Sequence, residues 1–256
     1  MGEGKMFKSQ RVALDNWERL RELIDGIVKE RLDKYSQEKK EKQNCDPDCL
    51  LELLMMSDVY QGSVRSIANE LIMGMLAANE TSRNTSVFAI CHMTKQHQHR
   101  SMVQEEIRNC LSKYGLASSS DLTHKHTMPS DLEFLSWVIS ETLRFNPPIP
   151  STEQFIVTKD CRLGKYDVKK GVHLSFYIHG VHHNPNEWQQ PELFNPSRFD
   201  PSHPMFKTPS GKNRHPMSYI PFSFGERMCL GYQFGKVMLP TLISKIVSNF
   251  DFEFVD

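Results

Sequence analysis

The sequence predicts a mainly α-helical protein that carries a small antiparallel β-sheet late in the chain. Three observations carry this. Apolar residues recur at helical spacing over much of residues 10–146. After Pro147 and Pro148 the texture changes to short alternating segments between glycines. A last apolar segment, from about Cys229 to Phe250, again reads as helix.

The totals bound the function. At 256 residues the chain can bury a sizeable core. Its 31 basic residues balance 31 acidic ones, so no overall field draws it to nucleic acid or an anionic membrane. Six cysteines, at 45, 49, 91, 110, 161 and 229, are irregularly spaced, which argues against a secreted disulfide scaffold and for a reducing compartment. The opening MGEGKMFKSQ has no apolar core segment and is neither signal peptide nor anchor. The run LIMGMLAA at 71–78 is too short to span a bilayer. The chain as given reads as soluble, although Met1 need not be the natural start.

From Val12 to Tyr35, Trp17, Leu20, Ile24, Ile27 and Val28 mark an amphipathic helix, and the charged QEKKEKQN after it reads as a solvated loop. CDPDCLLELLMM starts a short apolar helix with Asp48 as its N-cap. Residues 63–96 lack proline and read as one long, largely buried helix, with Ile67, Leu71, Met75, Val87 and Ile90 near one face. Its centre, AANETSRNTS, is polar and poor in helix formers, and such local conflicts mark working sites unless the stretch simply faces water. A further helix covers about Met102–Tyr114. SDLE at 130–133 has the form of a capping box, Ser130 at the N-cap and Glu133 at N3, opening a helix that Pro147 and Pro148 stop. FIVTKD, LGKYDVKKG and VHLSFYIHG then alternate as strands, and residues 184–220 are irregular and proline-rich.

One stretch carries chemistry. In FSFGERMCLG, Gly225 can take a turn conformation closed to other residues, and Gly231 permits close approach. Cys229, at the start of the final helix, sits where free N–H groups favour a thiolate, a strong soft ligand for iron. Arg227 offers a bidentate cation for an acidic group, and the phenylalanines a dry lining.

The order Phe222, Gly225, Arg227, Cys229, Gly231 resembles the haem-binding signature of the cytochrome P450 family, F-x-x-G-x-R-x-C-x-G, at every fixed position. Three further segments resemble the family in the same order. Glu141 and Arg144 in ETLR match its E-x-x-R, and Arg198 in FNPSRF matches the arginine that completes a buried triad supporting the haem loop. AANETS at 77–82 resembles A-G-x-D/E-T-T, with Glu80 and Thr81 as the acid and alcohol that manage protons for dioxygen cleavage, and with Ala77 and Ala78 beside the oxygen groove. Two departures stand out: Ala78 replaces the usual glycine and Ser82 the second threonine.

The resemblance implies the C-terminal part of the cytochrome P450 fold: a partial domain over 1–256, with a helical core at 10–146, sheet and irregular segment at 150–220, and ligand loop and final helix at 221–250. It implies haem b held by Cys229 as axial iron ligand, electrons from an NADPH-dependent reductase, and insertion of one oxygen atom into an apolar small molecule. It places a full-length parent at the cytosolic face of the endoplasmic reticulum membrane, through an N-terminal anchor missing here. The chain reads as a fragment with impaired activity, its apolar surface left exposed. Two other classes stay open: a non-catalytic truncated haem-binding or interaction protein, and a haem-thiolate hydroperoxide isomerase or dehydratase. The Glu80–Thr81 pair argues against the second, since peroxide chemistry needs no dioxygen protonation.

The remaining candidates are weaker. Cys45 and Cys49 lack a second pair at metal spacing and read as loop cysteines. The pairs His97/His99, His124/His126 and His182/His183 read as surface polar residues. Lys207, Lys212 and Arg214 are candidates for docking an acidic electron donor, with a hydrated loop as the alternative.

Overall fold

A computed structural model describes residues 8–41, 47 and 49–255; Cys45 and the expected N-cap Asp48 lie outside them. Among the described residues seven helices dominate: α1 (Lys8–Glu41), α2 (Leu50–Met56), α3 (Val64–Lys95), α4 (His97–Tyr114), α5 (Glu133–Phe145), α6 (Ile178–His182) and α7 (Tyr232–Asn249). The chain forms two compact units, Met1–Asn79 and Glu80–Asp256.

In the first unit, Ile24 and Val28 of α1 are buried with Met55 of α2 and with Ile67, Ala68 and Ile72 of α3. Trp17 and Ile27, expected on the same apolar face, are exposed instead. The charged run is not a loop throughout, because α1 continues to Glu41. Glutamate, lysine and glutamine are good helix formers, so a solvated charged stretch need not leave the helix.

The length expected for α3 holds, but its burial does not. Met73, Met75, Leu76, Val87 and Phe88 are exposed. The buried positions form narrow stripes, Ile67, Ala68 and Ile72 in one unit and Thr85, Ser86, Ala89 and Met93 in the other. The buried hydroxyls of the polar centre turn back on the helix: Thr85 donates to the Thr81 carbonyl (2.8 Å) and Ser86 to that of Ser82 (2.9 Å).

In the second unit, α4, α5 and α7 share one core, with Val103, Ile107, Leu135, Val138, Ile243 and Val247 all but sealed from solvent. The capping box expected at Ser130 does not form. Helix α5 starts later, with Leu132 at its N-cap, and Glu106 of α4 accepts from the free amides of Phe134 (2.6 Å) and Leu135 (3.0 Å). Burial raises the Glu106 pKa, and these amides oppose the rise. A capping box does form at Ser118 and Asp121, ahead of a short 3-10 turn. Helix α5 stops at Phe145, before Pro147, as expected.

The small antiparallel sheet is present as two ladders. β1 (Phe155–Ile156) pairs with β4 (His173–Leu174), and β2 (Cys161–Leu163) with β3 (Tyr166–Val168). VHLSFYIHG is a strand only at His173–Leu174; its end has already become α6. Among the described residues no helix is long and apolar enough to cross a membrane.

Candidate haem-thiolate site

The site begins from a buried ion triad. Glu141 and Arg144 lie one turn apart on α5, and Arg198 comes from a 3-10 turn at Pro196–Phe199; all three are fully buried. Arg144 donates from Nε to Glu141 Oε2 (2.7 Å) and from Nη2 to Oε1 (2.8 Å). Arg198 Nε (3.1 Å) and the Asn195 amide (2.8 Å) also donate to Oε1. The remaining guanidinium hydrogens meet carbonyls: Arg144 reaches those of His182, Pro191 and Leu193, and Arg198 those of Gln189, Gln190 and Leu193. One carboxylate thus serves two cations, and backbone oxygens absorb the surplus charge.

From this cluster the chain leads to the cysteine through Ser218, Tyr219 and Ile220, each fixed by a different partner. Trp188 Nε1 donates to the Ser218 carbonyl (3.2 Å), Tyr219 donates to the Ser140 carbonyl (3.0 Å), and the Ile220 amide donates to His182 Nε2 (2.8 Å). His182 is therefore no surface residue, as its place in a His-His pair suggested; it is fully buried, and its neighbour His183 is half-buried.

Burial, then the nearby Arg144 cation, hold the His182 pKa down at about 3 against an ordinary 6.5. The unfolded chain takes up this proton near pH 6.5 and the folded chain does not. Stability is therefore complete above that pH and falls as the pH drops toward about 3. The expected slope from this group is about 1.4 kcal/mol per pH unit inside the window. Urea titrations near neutrality and near pH ~5 check it, and His182→Gln should flatten the difference.

The loop itself is tightly turned. Ser223 (φ +62°) and Gly225 (φ +74°) both hold left-handed backbone, and at Gly225 the sequence supplies the residue suited to it. A 3-10 turn spans Gly225–Arg227, the Met228 amide closes on the Gly225 carbonyl (3.1 Å), and the Cys229 amide donates to the Phe222 carbonyl (2.9 Å). Phe222 packs against the core, in T-shaped contact with Tyr232 at 5.1 Å.

Cys229 stands three residues before α7 rather than at its start, because Gly231 takes the N-cap. A Cβ on Gly231 would stand 3.7 Å from the Cys229 sulfur, so the backbone does pass close to it. Sequence reasoning missed Gly235: its absent Cβ would meet the Phe222 ring at 3.4 Å. A glycine inside a helix was the available signal.

The donor set suits a haem. The Cys229 thiol is free and exposed, and Arg227 is exposed without a hydrogen bond or ion pair among the described residues. Leu230 is 95% exposed and Met228 46%, apolar side chains that water does not favour.

The family model described as cytochrome P450 matches residues 6–256. The chain belongs to the cytochrome P450 family. A probable cytochrome P450 6a14 of Drosophila melanogaster is 30% identical over 74% of the chain and 35% of its own length. Cytochrome P450 4A10 of Mus musculus is 27% identical over 96% and 46%. A dimethylnonatriene synthase of Arabidopsis thaliana is 28% identical over 87% and 41%. The chain thus spans less than half the length of these relatives. Among solved structures, the haem domain of a cytochrome P450DA mutant superposes with a TM-score of 0.71 at 21% identity, covering 96% of this chain and 50% of that one. The mainly helical fold is that of part of a P450 haem domain.

Within this P450 chain the other expected residues fall as follows. Ala77, Ala78 and Glu80 are exposed on α3, and Thr81 is half-buried. Arg214 is not a free docking cation. Its guanidinium lies 4.2 Å from the Trp188 ring and donates to the carbonyls of Met205 (2.9 Å) and Arg198 (2.8 Å). Burial and the Arg198 charge pull its pKa down to about 10, so it stays charged at neutral pH. A guanidinium is planar and weakly hydrated, which lets it serve as a half-buried staple. Lys212 remains exposed, and Lys207 bonds Asn213.

Proposed function

We propose that the chain carries the thiolate side of a monooxygenase that inserts one atom of dioxygen into an apolar organic substrate. The observation that carries the reading is the Cys229 loop: a free exposed thiol aimed by two left-handed residues, two positions from an exposed arginine with no partner among the described residues. Haem b, when bound, supplies the oxygen-activating redox chemistry.

This chain's residues do the rest. Cys229 holds the iron through its thiolate, and Arg227 pairs with an acidic edge group of the cofactor. Phe222 keeps water from the sulfur side, while Gly225 and Gly231 keep the loop backbone free of bulk. Ala77 and Ala78 keep their stretch of α3 slender. Glu80 and Thr81 hold and pass protons, since a carboxylate exchanges a proton with water and a hydroxyl hands it on. Glu141, Arg144 and Arg198 fix the frame on which the loop rests. An NADPH-dependent reductase supplies electrons, and the full-length parent works at the cytosolic face of the endoplasmic reticulum.

The test is the carbon monoxide difference spectrum of the reduced, haem-reconstituted chain beside Cys229→Ser. The expected result is a strongly red-shifted Soret band that the serine variant loses. No such band, or one unchanged by serine, overturns the reading.

A further inference from the structure

A single line of hydrogen bonds connects the buried ion pair to the cysteine. Arg144 Nη1 donates to the His182 carbonyl (3.0 Å), and His182 Nε2 accepts from the Ile220 amide (2.8 Å). The Ile220 carbonyl then accepts from the amide of left-handed Ser223 (3.0 Å), and the Phe222 carbonyl from the Cys229 amide (2.9 Å). Past the Arg144 guanidinium, every step is backbone except one. That step is the His182 ring.

The ring's chemistry is fixed by its place. An imidazole nitrogen that accepts from an amide carries no proton, so the neutral ring must hold its proton on Nδ1. Nδ1 is buried and closes no full hydrogen bond, while the adjacent backbone of Arg144 and Leu143 favours a proton on the ring. The ring also lies 5.4 Å from that of Tyr219, so it is held from the side as well. A hydrocarbon of the same size would pack here. It would leave the Ile220 amide without its acceptor.

We propose that His182 is a positioning residue for Cys229: as the Nδ1–H tautomer it transmits the fixed geometry of the Glu141–Arg144 pair to the turn that aims the sulfur. The proposal rests on the reading of Cys229 as the iron ligand, and it deepens that reading by naming the side chain that joins the triad to the loop. It does not require His182 to touch the cofactor.

Two measurements test it, and neither depends on turnover. In the unaltered chain, imidazole nitrogen resonances of His182 at neutral pH should show a bare Nε2 and a protonated Nδ1; the opposite tautomer overturns the proposal. Amide exchange is then compared in His182→Phe, which keeps a ring but loses the acceptor, and His182→Gln, which keeps an acceptor oxygen. The phenylalanine variant should exchange at Ile220, Ser223 and Cys229 about tenfold faster, with Leu135 and Ile243 unchanged. The glutamine variant should return toward native rates.

Unchanged exchange at the three amides, or acceleration spread equally to Leu135 and Ile243, overturns the proposal. So does fast exchange at the three amides in the glutamine variant, which also decides the matter if the phenylalanine variant does not fold. In the haem-loaded proteins, the phenylalanine variant should convert part of the strongly red-shifted carbon monoxide band to a less shifted one, and glutamine should restore it. The two readings fail separately: a band unchanged by Cys229→Ser removes the ligand while the exchange pattern stands, and a native band with native exchange removes His182 alone.

Discussion

Glu141→Gln is expected to destabilise the Glu80–Asp256 unit by about 3–5 kcal/mol, the cost of stranding a buried cation. The two side chains have the same shape, so packing is not what changes. Glutamine can keep a carbonyl where Oε1 now accepts from Arg144, Arg198 and Asn195. It then places an NH2 where Oε2 accepts from Arg144 Nε, donor against donor. Both guanidiniums remain fully buried with no counter-charge between them. Against a domain stability of about 5–15 kcal/mol such a loss empties much of the folded population. Urea unfolding should show a lower midpoint with little change in slope, and a shift below about 1 kcal/mol would mean that the backbone carbonyls alone neutralise the cluster. Arg198→Lys should fall between the two, since lysine keeps the charge but cannot fork across the carbonyls of Gln190 and Leu193.

That cluster shows what the sequence could and could not reveal. ETLR puts Glu141 and Arg144 on one helix face, but such pairs are common on surfaces, and periodicity alone does not say that this one is buried. Resemblance to the cytochrome P450 family joined Arg198 to it, and Arg198 Nε lies 3.1 Å from Glu141 Oε1. The long proline-free span of α3 was legible in the same local way, and so was the stop of α5 before Pro147. What failed at Ser130, His182 and Arg214 was decided by partners distant in sequence. Ser130 has the right spacing for a cap, yet Glu106, 28 residues from Phe134, takes the amides first. His182 resembles any polar residue in a His-His pair until Ile220 supplies its amide, and Arg214 resembles a docking cation until Trp188 lies beneath it. The cysteine loop was legible because its constraints are local: a left-handed Gly225 and a sulfur beside Gly231 lie within seven residues of one another.

Trp188→Ala is the second large effect, expected at about 3–5 kcal/mol, and its companion Trp188→Phe separates the causes. Trp188 is 1% exposed and supports three things at once. Its ring fills core volume beside Phe199 and Tyr219, with centroids 6.0 and 6.2 Å away. Its face meets the Arg214 guanidinium at 4.2 Å and that of Arg144 at 5.3 Å. Its Nε1 donates to the Ser218 carbonyl at the entry to the cysteine loop (3.2 Å). Alanine removes all three, leaving a cavity against two cations. Phenylalanine keeps a ring face for Arg214 but strands the Ser218 carbonyl, a loss of about 1–3 kcal/mol. If cavity and stacking dominate, urea midpoints will place phenylalanine near the native protein and alanine far below it. If the two variants fall together, the single hydrogen bond to Ser218 is what Trp188 contributes, and the loop entry depends on it more than on the aromatic floor beneath Arg214.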